Sequence, residues 1–93
     1  DARHLEVDLR NENQTWLLRS PRGPVLVRQI AGLIARRIVA WKKIGEPVQR
    51  AERIGMIRFG SRTDLYIPAP CSVRVQVGQR VKGGETVLAS WPA

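Results

Sequence analysis

The feature that most constrains how this chain folds is a motif that occurs twice, with the second copy 33 residues after the first. Each copy runs from an apolar residue and a glycine, through a valine, to a glutamate and a further apolar residue. The copies are Ile44, Gly45, Val48, Glu52 and Ile54, and Val77, Gly78, Val81, Glu85 and Val87. Two similar units that cannot cover their apolar faces alone are expected to pack around an approximate twofold axis. We therefore predict a mostly β fold, a small barrel-sandwich hybrid with an internal pseudo-twofold repeat. A chance match of turn glycines is the alternative.

Local patterns predict strands before and within this repeat. Residues 15–19 and 25–30 are rich in strand-forming residues and flank a turn at 20–24 that holds two prolines and a glycine. We expect a hairpin there. Alternating valines predict a half-buried strand at 73–77. Over 30–43 the apolar residues recur at helical spacing, so propensity alone favours a helix.

Size and charge limit the function classes. Ninety-three residues make one small domain, residues 1–93, and we expect it to be a segment of a longer protein because it begins without Met. The formal net charge is +8, and thirteen of the sixteen basic residues are arginine, which binds phosphate bidentately. The expected partners are anionic, namely phospholipid, nucleic acid or acidic protein; a merely solvated basic surface is the alternative. A single Cys71 and a single His4 predict neither a disulfide nor a metal site.

The bond between Gly60 and Ser61 is the candidate site of chemistry. Alternating residues on both sides predict two strands that meet there. Gly-Ser is ordinarily a turn dipeptide. A glycine carbonyl is open to attack because no Cβ shields it, and a serine hydroxyl becomes a nucleophile when a base activates it. In a taut Gly-Ser bond, the Ser61 hydroxyl can add to the Gly60 carbonyl and form an ester. Elimination and hydrolysis then leave a pyruvoyl group, an electron sink like those that cofactors provide.

Three separated segments resemble, in order, the phosphatidylserine decarboxylase proenzymes, especially their short, archaetidylserine decarboxylase-like branch. The segments are 23–39, 52–68 (ERIGMIRFGSRTDLYIP) and 75–88. The resemblance covers most of the chain from Asn11 onward. It implies that this chain is the C-terminal part of a longer proenzyme, which cleaves itself between Gly60 and Ser61. Residues 1–60 would then end the β chain, and 61–93 would form the α chain.

The resemblance also implies a function, the pyruvoyl-dependent decarboxylation of phosphatidylserine, or archaetidylserine, to the ethanolamine phospholipid. Ser61 would be the catalytic residue and the source of the pyruvoyl cofactor. Arg58 and Arg62 are candidates for binding the lipid phosphate, and the alternative for both is a solvent-facing position. The base that activates Ser61 is expected upstream of this chain, because the context of His4 does not match the family's catalytic histidine. We therefore expect these 93 residues alone to be inactive.

A membrane lipid as substrate implies peripheral contact with the cytoplasmic face of the cell membrane. The candidate contact is a patch consisting of Arg36, Arg37, Ile38, Trp41, Lys42 and Lys43. The outer face of a barrel strand explains the same residues equally well. The resemblance favours a strand over a helix at 36–41, with a bulge at Gly32. The expected partners are the α and β chains of one proenzyme, and a homo-oligomer is left open.

Two other function classes compete with this interpretation. The sequence pattern Val-x-x-Gly-x-x-Val-x-x-Gly-Glu at 75–85 resembles that of biotinyl and lipoyl carrier domains. Carriers present a lysine on the hairpin between the two copies, whereas this chain has no lysine over 44–81 and its hairpin holds Gly60 and Ser61. A basic β barrel that binds nucleic acid suits the charge. Aromatic residues make up only 5% of the chain, however, and are scattered, so no stacking platform is evident.

Overall fold

The structure is a computed structural model, and it describes residues 12–31, 37–58 and 61–93. The strands in these ranges are β1 (Asn13–Ser20), β2 (Gly23–Ala31), β3 (Arg37–Ala40), β4 (Gly55–Arg58), β5 (Ser61–Tyr66), β6 (Ser72–Val73) and β7 (Ala89–Ser90). They form three antiparallel sheets with the orders β1-β2-β5, β3-β4 and β6-β7. The predicted mostly β fold is confirmed. Within the described ranges the sheets do not close into a barrel, so the barrel-sandwich arrangement is not confirmed.

The predicted N-terminal hairpin is confirmed, with longer strands than expected. β1 and β2 pair up to Ser20 and Gly23, which leaves only Pro21 and Arg22 in the turn. The Ser20 hydroxyl donates a hydrogen bond to the Gly23 carbonyl (2.9 Å) and accepts one from the Arg22 N–H (3.3 Å). A serine hydroxyl that bonds nearby backbone groups stabilises a tight turn locally.

β2 is the central strand of the largest sheet, because it pairs with β1 on one side and with β5 on the other. The β2–β5 ladder runs from Leu26 opposite Tyr66 to Ala31 opposite Ser61. Successive side chains on a strand point to opposite faces of the sheet. We call the face that carries Ser61, Thr63 and Leu65 the inner face, and the face that carries Arg62, Asp64 and Tyr66 the outer face. Ala31, which is fully buried, lies on the inner face opposite Ser61.

The stretch 30–43, where apolar spacing alone favours a helix, contains a strand instead, as the resemblance implies. β3 occupies Arg37–Ala40, within the predicted 36–41, while Gly32 lies outside the described residues. β3 pairs with β4, so the 41–54 loop begins and ends side by side at one end of this two-stranded sheet. The Trp41 N–H closes this loop by donating to the Ile54 carbonyl at 2.8 Å.

Gly55 permits the close pairing of β3 and β4. A Cβ at this position would lie 2.4 Å from the Val39 carbonyl oxygen, which is backbone and cannot rotate away. Contacts that short are forbidden by sterics. The glycine is therefore required by packing between strands and not by a turn.

The two copies of the repeated motif have matching turns. Gly45 and Gly78 both have a positive φ, at 89° and 86°. In each turn the next N–H donates to a carbonyl three residues earlier, from Glu46 and from Gln79, both at 3.1 Å. The local geometry of the turns is therefore repeated. The twofold relation between the complete copies stays a prediction.

The predicted strand at 73–77 is wrong beyond its first residue. β6 contains only Ser72 and Val73, whose partners are Ser90 and Ala89 in β7. One more hydrogen bond, from the Arg74 N–H to the Leu88 carbonyl (2.8 Å), continues the pairing. Beyond it the alternating valines have no partner strand in the described part of the chain, and Val77 is fully exposed.

Glu12 links the two larger sheets. Its carbonyl accepts a hydrogen bond from the Ala31 N–H at the end of β2 (2.9 Å), and its carboxylate accepts one from the Ile38 N–H in β3 (2.9 Å). Glu12 thus connects β2, which pairs with β5, to β3, which pairs with β4. In the part of the chain that the structure describes, no helix is long and apolar enough for a membrane span.

Candidate functional site

The candidate cleavage bond joins two strands that belong to different sheets. β4 ends at Arg58 and β5 begins at Ser61, so the predicted strands on both sides of the bond are confirmed. The expected hairpin is wrong, because β4 pairs with β3 and β5 pairs with β2. The strand periodicity was right, but it carries no information about which strand becomes the partner. Gly60 and the Arg58 side chain lie outside the described residues.

Ser61 occupies the first ladder position of β5, at the edge of the three-stranded sheet. It is exposed, and it lies opposite the buried Ala31. The next residues on the same face are Thr63 and its cross-strand partner Gln29. The inner face of the described strands therefore presents hydroxyl and amide groups beside Ser61. A base supplied from upstream of Asp1 stays a prediction.

The outer face of β5 carries an ion pair. Arg62 donates from both Nε and Nη2 to the two carboxylate oxygens of Asp64, each at 3.0 Å. The hydrogen bond to Asp64 raises the pKa of the Arg62 guanidinium above its usual value. The Arg62 side chain is 70% exposed, so solvent screens the pair. Strand alternation places Ser61 and Arg62 on opposite faces, and the role of Arg62 in phosphate binding stays a prediction.

A second arginine lies on the same outer face. Arg28 is the direct cross-strand neighbour of Asp64. Its Nε is buried and has no hydrogen-bond partner among the described residues. Sequence reasoning missed this residue, since nothing in 25–30 distinguishes a half-buried arginine from an exposed one.

An apolar pocket of about 190 Å³ opens at the other end of the inner face. Its walls come from β2, β5 and the C-terminal segment, and include Val25, Leu65, Ile67, Cys71, Leu88 and Trp91. Ser90 also lines it, and Arg74 donates from Nε to the Ser90 hydroxyl at 2.9 Å. Sequence reasoning missed this pocket because its walls are distant in the chain. The alternation at 73–75 predicts that Arg74 lies on one face of a strand, but it does not predict the contact with Ser90.

The candidate membrane patch is only partly described by the structure. Trp41 is about half exposed, at 49%, whereas the side chains of Arg36 and Arg37 lie outside the described residues. Lys42 pairs with Glu52 and, at 3.9 Å, with Glu46. The hydrogen bond to Glu52 raises the pKa of Lys42. These carboxylates offset the charge of Lys42, so bilayer contact by the patch stays a prediction.

Glu52 accepts hydrogen bonds from the backbone and from a lysine. The N–H of Gln49 donates to its carboxylate at 2.9 Å, and this bond, followed by the one from Lys42, lowers the pKa of Glu52. Hydrogen bonds to the charged form favour ionisation. The 41–54 loop is therefore fixed by a local network that is separate from Ser61.

The sequence profile of the phosphatidylserine decarboxylase family matches residues 1–89. The match includes β1 to β6, Gly60 and Ser61. No solved structure matches the chain.

Proposed function

Because the chain belongs to the phosphatidylserine decarboxylase family, we propose that it acts through a pyruvoyl group made from its own Ser61. The substrate is phosphatidylserine or archaetidylserine, and the product is the corresponding ethanolamine phospholipid. The observation that carries the proposal is the position of Ser61, at the first residue of β5 and directly after a link between two sheets. Arg58 and Arg62 remain candidates for the lipid phosphate, and Arg62 would have to leave Asp64 and reach it from the outer face.

The cleavage chemistry needs only atoms of the chain, a base and water. The Ser61 Oγ adds to the Gly60 carbonyl carbon as the base takes its proton. The C–N bond then breaks, which leaves the Gly60 acyl group on Oγ and a free amine at position 61. Removal of the Cα proton of residue 61 expels the Gly60 carboxylate and leaves dehydroalanine. Hydrolysis of its imine tautomer releases ammonia and gives the pyruvoyl group.

The strand pairing is compatible with the formation of a pyruvoyl group at position 61. β4 and β5 are not partners of each other, so cleavage between residues 60 and 61 separates no pair of strands among the described residues. The new chain beginning at 61 stays paired with β2 over six residue pairs, from Ala31–Ser61 to Leu26–Tyr66. The ladder thus supports retention of the α chain and holds its new terminus in place. Once formed, the pyruvoyl group supplies a sink for the electron pair released as carbon dioxide leaves.

The lipid substrate and the charge together support a peripheral membrane location. A net charge of +8 attracts the anionic cytoplasmic leaflet, on which each basic residue near the surface adds about 1 kcal/mol. We propose that the protein contacts the membrane at its cytoplasmic face. The α and β chains of one proenzyme are partners of each other, and the proposal is compatible with a homo-oligomer.

The test is mass spectrometry of the full-length natural protein. We expect two chains separated between Gly60 and Ser61, and we expect the second chain to lack an N-terminal amine and to react with a carbonyl reagent such as hydrazine. A single intact chain with an unmodified Ser61 would falsify the proposal. Residues 1–93 alone should release no carbon dioxide from phosphatidylserine, because the base is expected elsewhere in the protein.

A further inference from the structure

We propose that the apolar pocket at the Leu65 end of the inner face binds the start of one hydrocarbon chain of the phospholipid whose headgroup reaches position 61. This inference rests on the proposed function and adds to it a site for the lipid tail. Its occupant is a glycerophospholipid with at least one acyl or alkyl chain.

The distance from Ser61 to the pocket matches the length of a phospholipid headgroup. Ser61 and Leu65 share one face of β5 and are four residues apart, or about 13 Å at the rise of a strand. In phosphatidylserine, about nine bonds separate the amine nitrogen from the nearest acyl carbonyl carbon. At about 1.2 Å of advance per bond, an extended chain covers about 11 Å. A lipid with its amine at position 61 therefore places its first methylene groups at Leu65.

The polarity of the inner face changes in the same order as that of the lipid. Thr63 and Gln29 lie between Ser61 and the pocket, opposite each other on β5 and β2. The Trp16 Nε1 donates to the Gln29 Oε1, which leaves the NH₂ group of this amide without a partner among the described residues. Hydroxyl and amide donors suit the ester oxygens of the phosphate. Beyond them the walls are apolar, as a hydrocarbon requires.

A cation is fixed at the polar wall of the pocket. Arg74 is held by its Nε bond to Ser90, a pocket residue, and has no carboxylate partner among the described residues. Its two terminal nitrogens are then available to an ester carbonyl oxygen at the start of the lipid chain. A cation beside an apolar pocket fits an anionic lipid better than a neutral hydrophobic ligand.

The size of the pocket limits what it holds. A volume of about 190 Å³ has room for about six groups the size of a water molecule. The pocket therefore takes the first few methylenes, and the rest of the chain remains outside it. Recognition then depends on the presence of a chain and is nearly independent of its full length.

Cys71 reports occupancy of the pocket directly. It is the chain's single cysteine and lies in the wall. In the full-length protein carrying Ser61→Ala, N-ethylmaleimide labelling of the Cys71 peptide is followed by mass spectrometry. Dihexanoyl phosphatidylserine below its micelle concentration should slow labelling at least about fivefold, because bound chains cover the thiol. Glycerophosphoserine, which has the same headgroup and no chains, should leave the rate unchanged.

Two outcomes of the labelling overturn the proposal. Equal labelling with and without the lipid shows an empty pocket. A thiol that never reacts, even without lipid, shows that another segment of the protein fills the cavity. Neither outcome depends on cleavage between Gly60 and Ser61, so a failure here is distinguishable from a failure of the proposed function.

A filled pocket provides the second test. Ala89→Leu adds volume to the wall and should raise the KM for dihexanoyl phosphatidylserine about tenfold, the equivalent of excluding two methylenes. The kcat and the cleavage of the proenzyme should be unchanged. Ala69→Leu, at an exposed position outside the pocket, is the matched control. An unchanged KM in a folded Ala89→Leu protein contradicts the assignment.

Discussion

β4 and β5 flank the same short link, yet different neighbours hold them. β4 has four residues, pairs with β3 and needs Gly55 to approach it, whereas β5 has six residues and is an outer strand of the three-stranded sheet within the described ranges. One strand is a packing element, and the other presents Ser61 on a face that leads to an apolar pocket. If the chain is cut between Gly60 and Ser61 as proposed, the described ladders β3–β4 and β2–β5 both stay paired, because neither crosses this link.

The largest expected effect is at the start of β5. Ser61→Ala removes the attacking hydroxyl, so both cleavage and decarboxylation should be lost completely in the full-length protein. Intact mass and carbon dioxide release measure the two. Thr63→Ala, which removes a hydroxyl two residues further along the same face, should leave cleavage intact. Cleavage of the Ser61→Ala protein at the same bond would refute the role of this hydroxyl.

Gly55→Ala tests whether β4 depends on packing. The new Cβ would lie 2.4 Å from the Val39 carbonyl oxygen, and relieving this contact should cost about 1–3 kcal/mol of unfolding free energy. Urea denaturation of the full-length protein measures the loss. The control is Gly83→Ala, where a Cβ meets nothing within 4 Å, and we expect a change within about 0.5 kcal/mol. Equal effects at the two glycines would mean that the β3–β4 approach is not limiting.

Glu12→Ala tests the connection between the sheets of β4 and β5. It removes the carboxylate that accepts the Ile38 N–H, at a cost of about 1 kcal/mol, and should slow cleavage severalfold because the two strand ends are then less firmly positioned. Glu12→Gln keeps an acceptor and should cleave at nearly the normal rate. Time courses of the mass-resolved products compare the two. Identical rates for all three proteins would show that the linkage does not position the bond.

The smallest effect is expected on the outer face of β5. Asp64→Asn weakens the pair with Arg62, which is exposed and screened, so stability should fall by about 0–1 kcal/mol. Cleavage should remain within twofold of normal, because Ser61 lies on the other face. Loss of cleavage in this variant would show that the two faces are not functionally separate.

The local part of the fold was predictable from sequence. Ser20 to Pro24 contains residues that fix their own turn, so the β1–β2 hairpin follows from neighbours in the chain. The glycines of the repeat likewise predict their turns, and Gly45 and Gly78 have nearly the same φ. Such features depend on interactions within a few residues.

The pairing of β5 was not predictable in this way. Alternation at 61–66 indicates a strand, but its partner is β2, whose paired residues lie thirty to forty positions earlier in the chain. At 73–77 the same kind of alternation predicts five strand residues, of which only Val73 lies in a strand, because β7 offers only two partner residues. A strand needs a neighbour, and the choice of neighbour is a property of the whole sheet.

The resemblance to the family identified Ser61 as the candidate site residue. The structure then showed which strands and side chains surround it. The blocks around 23–39, 52–68 and 75–88 named the family, which the profile match confirms. They gave no indication that Arg62 pairs with Asp64, or that Arg74 reaches Ser90 across sixteen residues. Side-chain partners at such separations depend on the register of strands that sequence alone does not fix.

The central claim is that the natural protein is made as one chain and becomes two, with a keto group in place of a serine. The most direct measurement is the intact mass of the protein purified from its own cells, before and after reduction with borohydride. We predict a chain that begins at position 61, lighter by the difference between serine and pyruvoyl, which gains two hydrogens on reduction. A chain that runs unbroken through Gly60 and Ser61, with a mass unaltered by borohydride, contradicts the account.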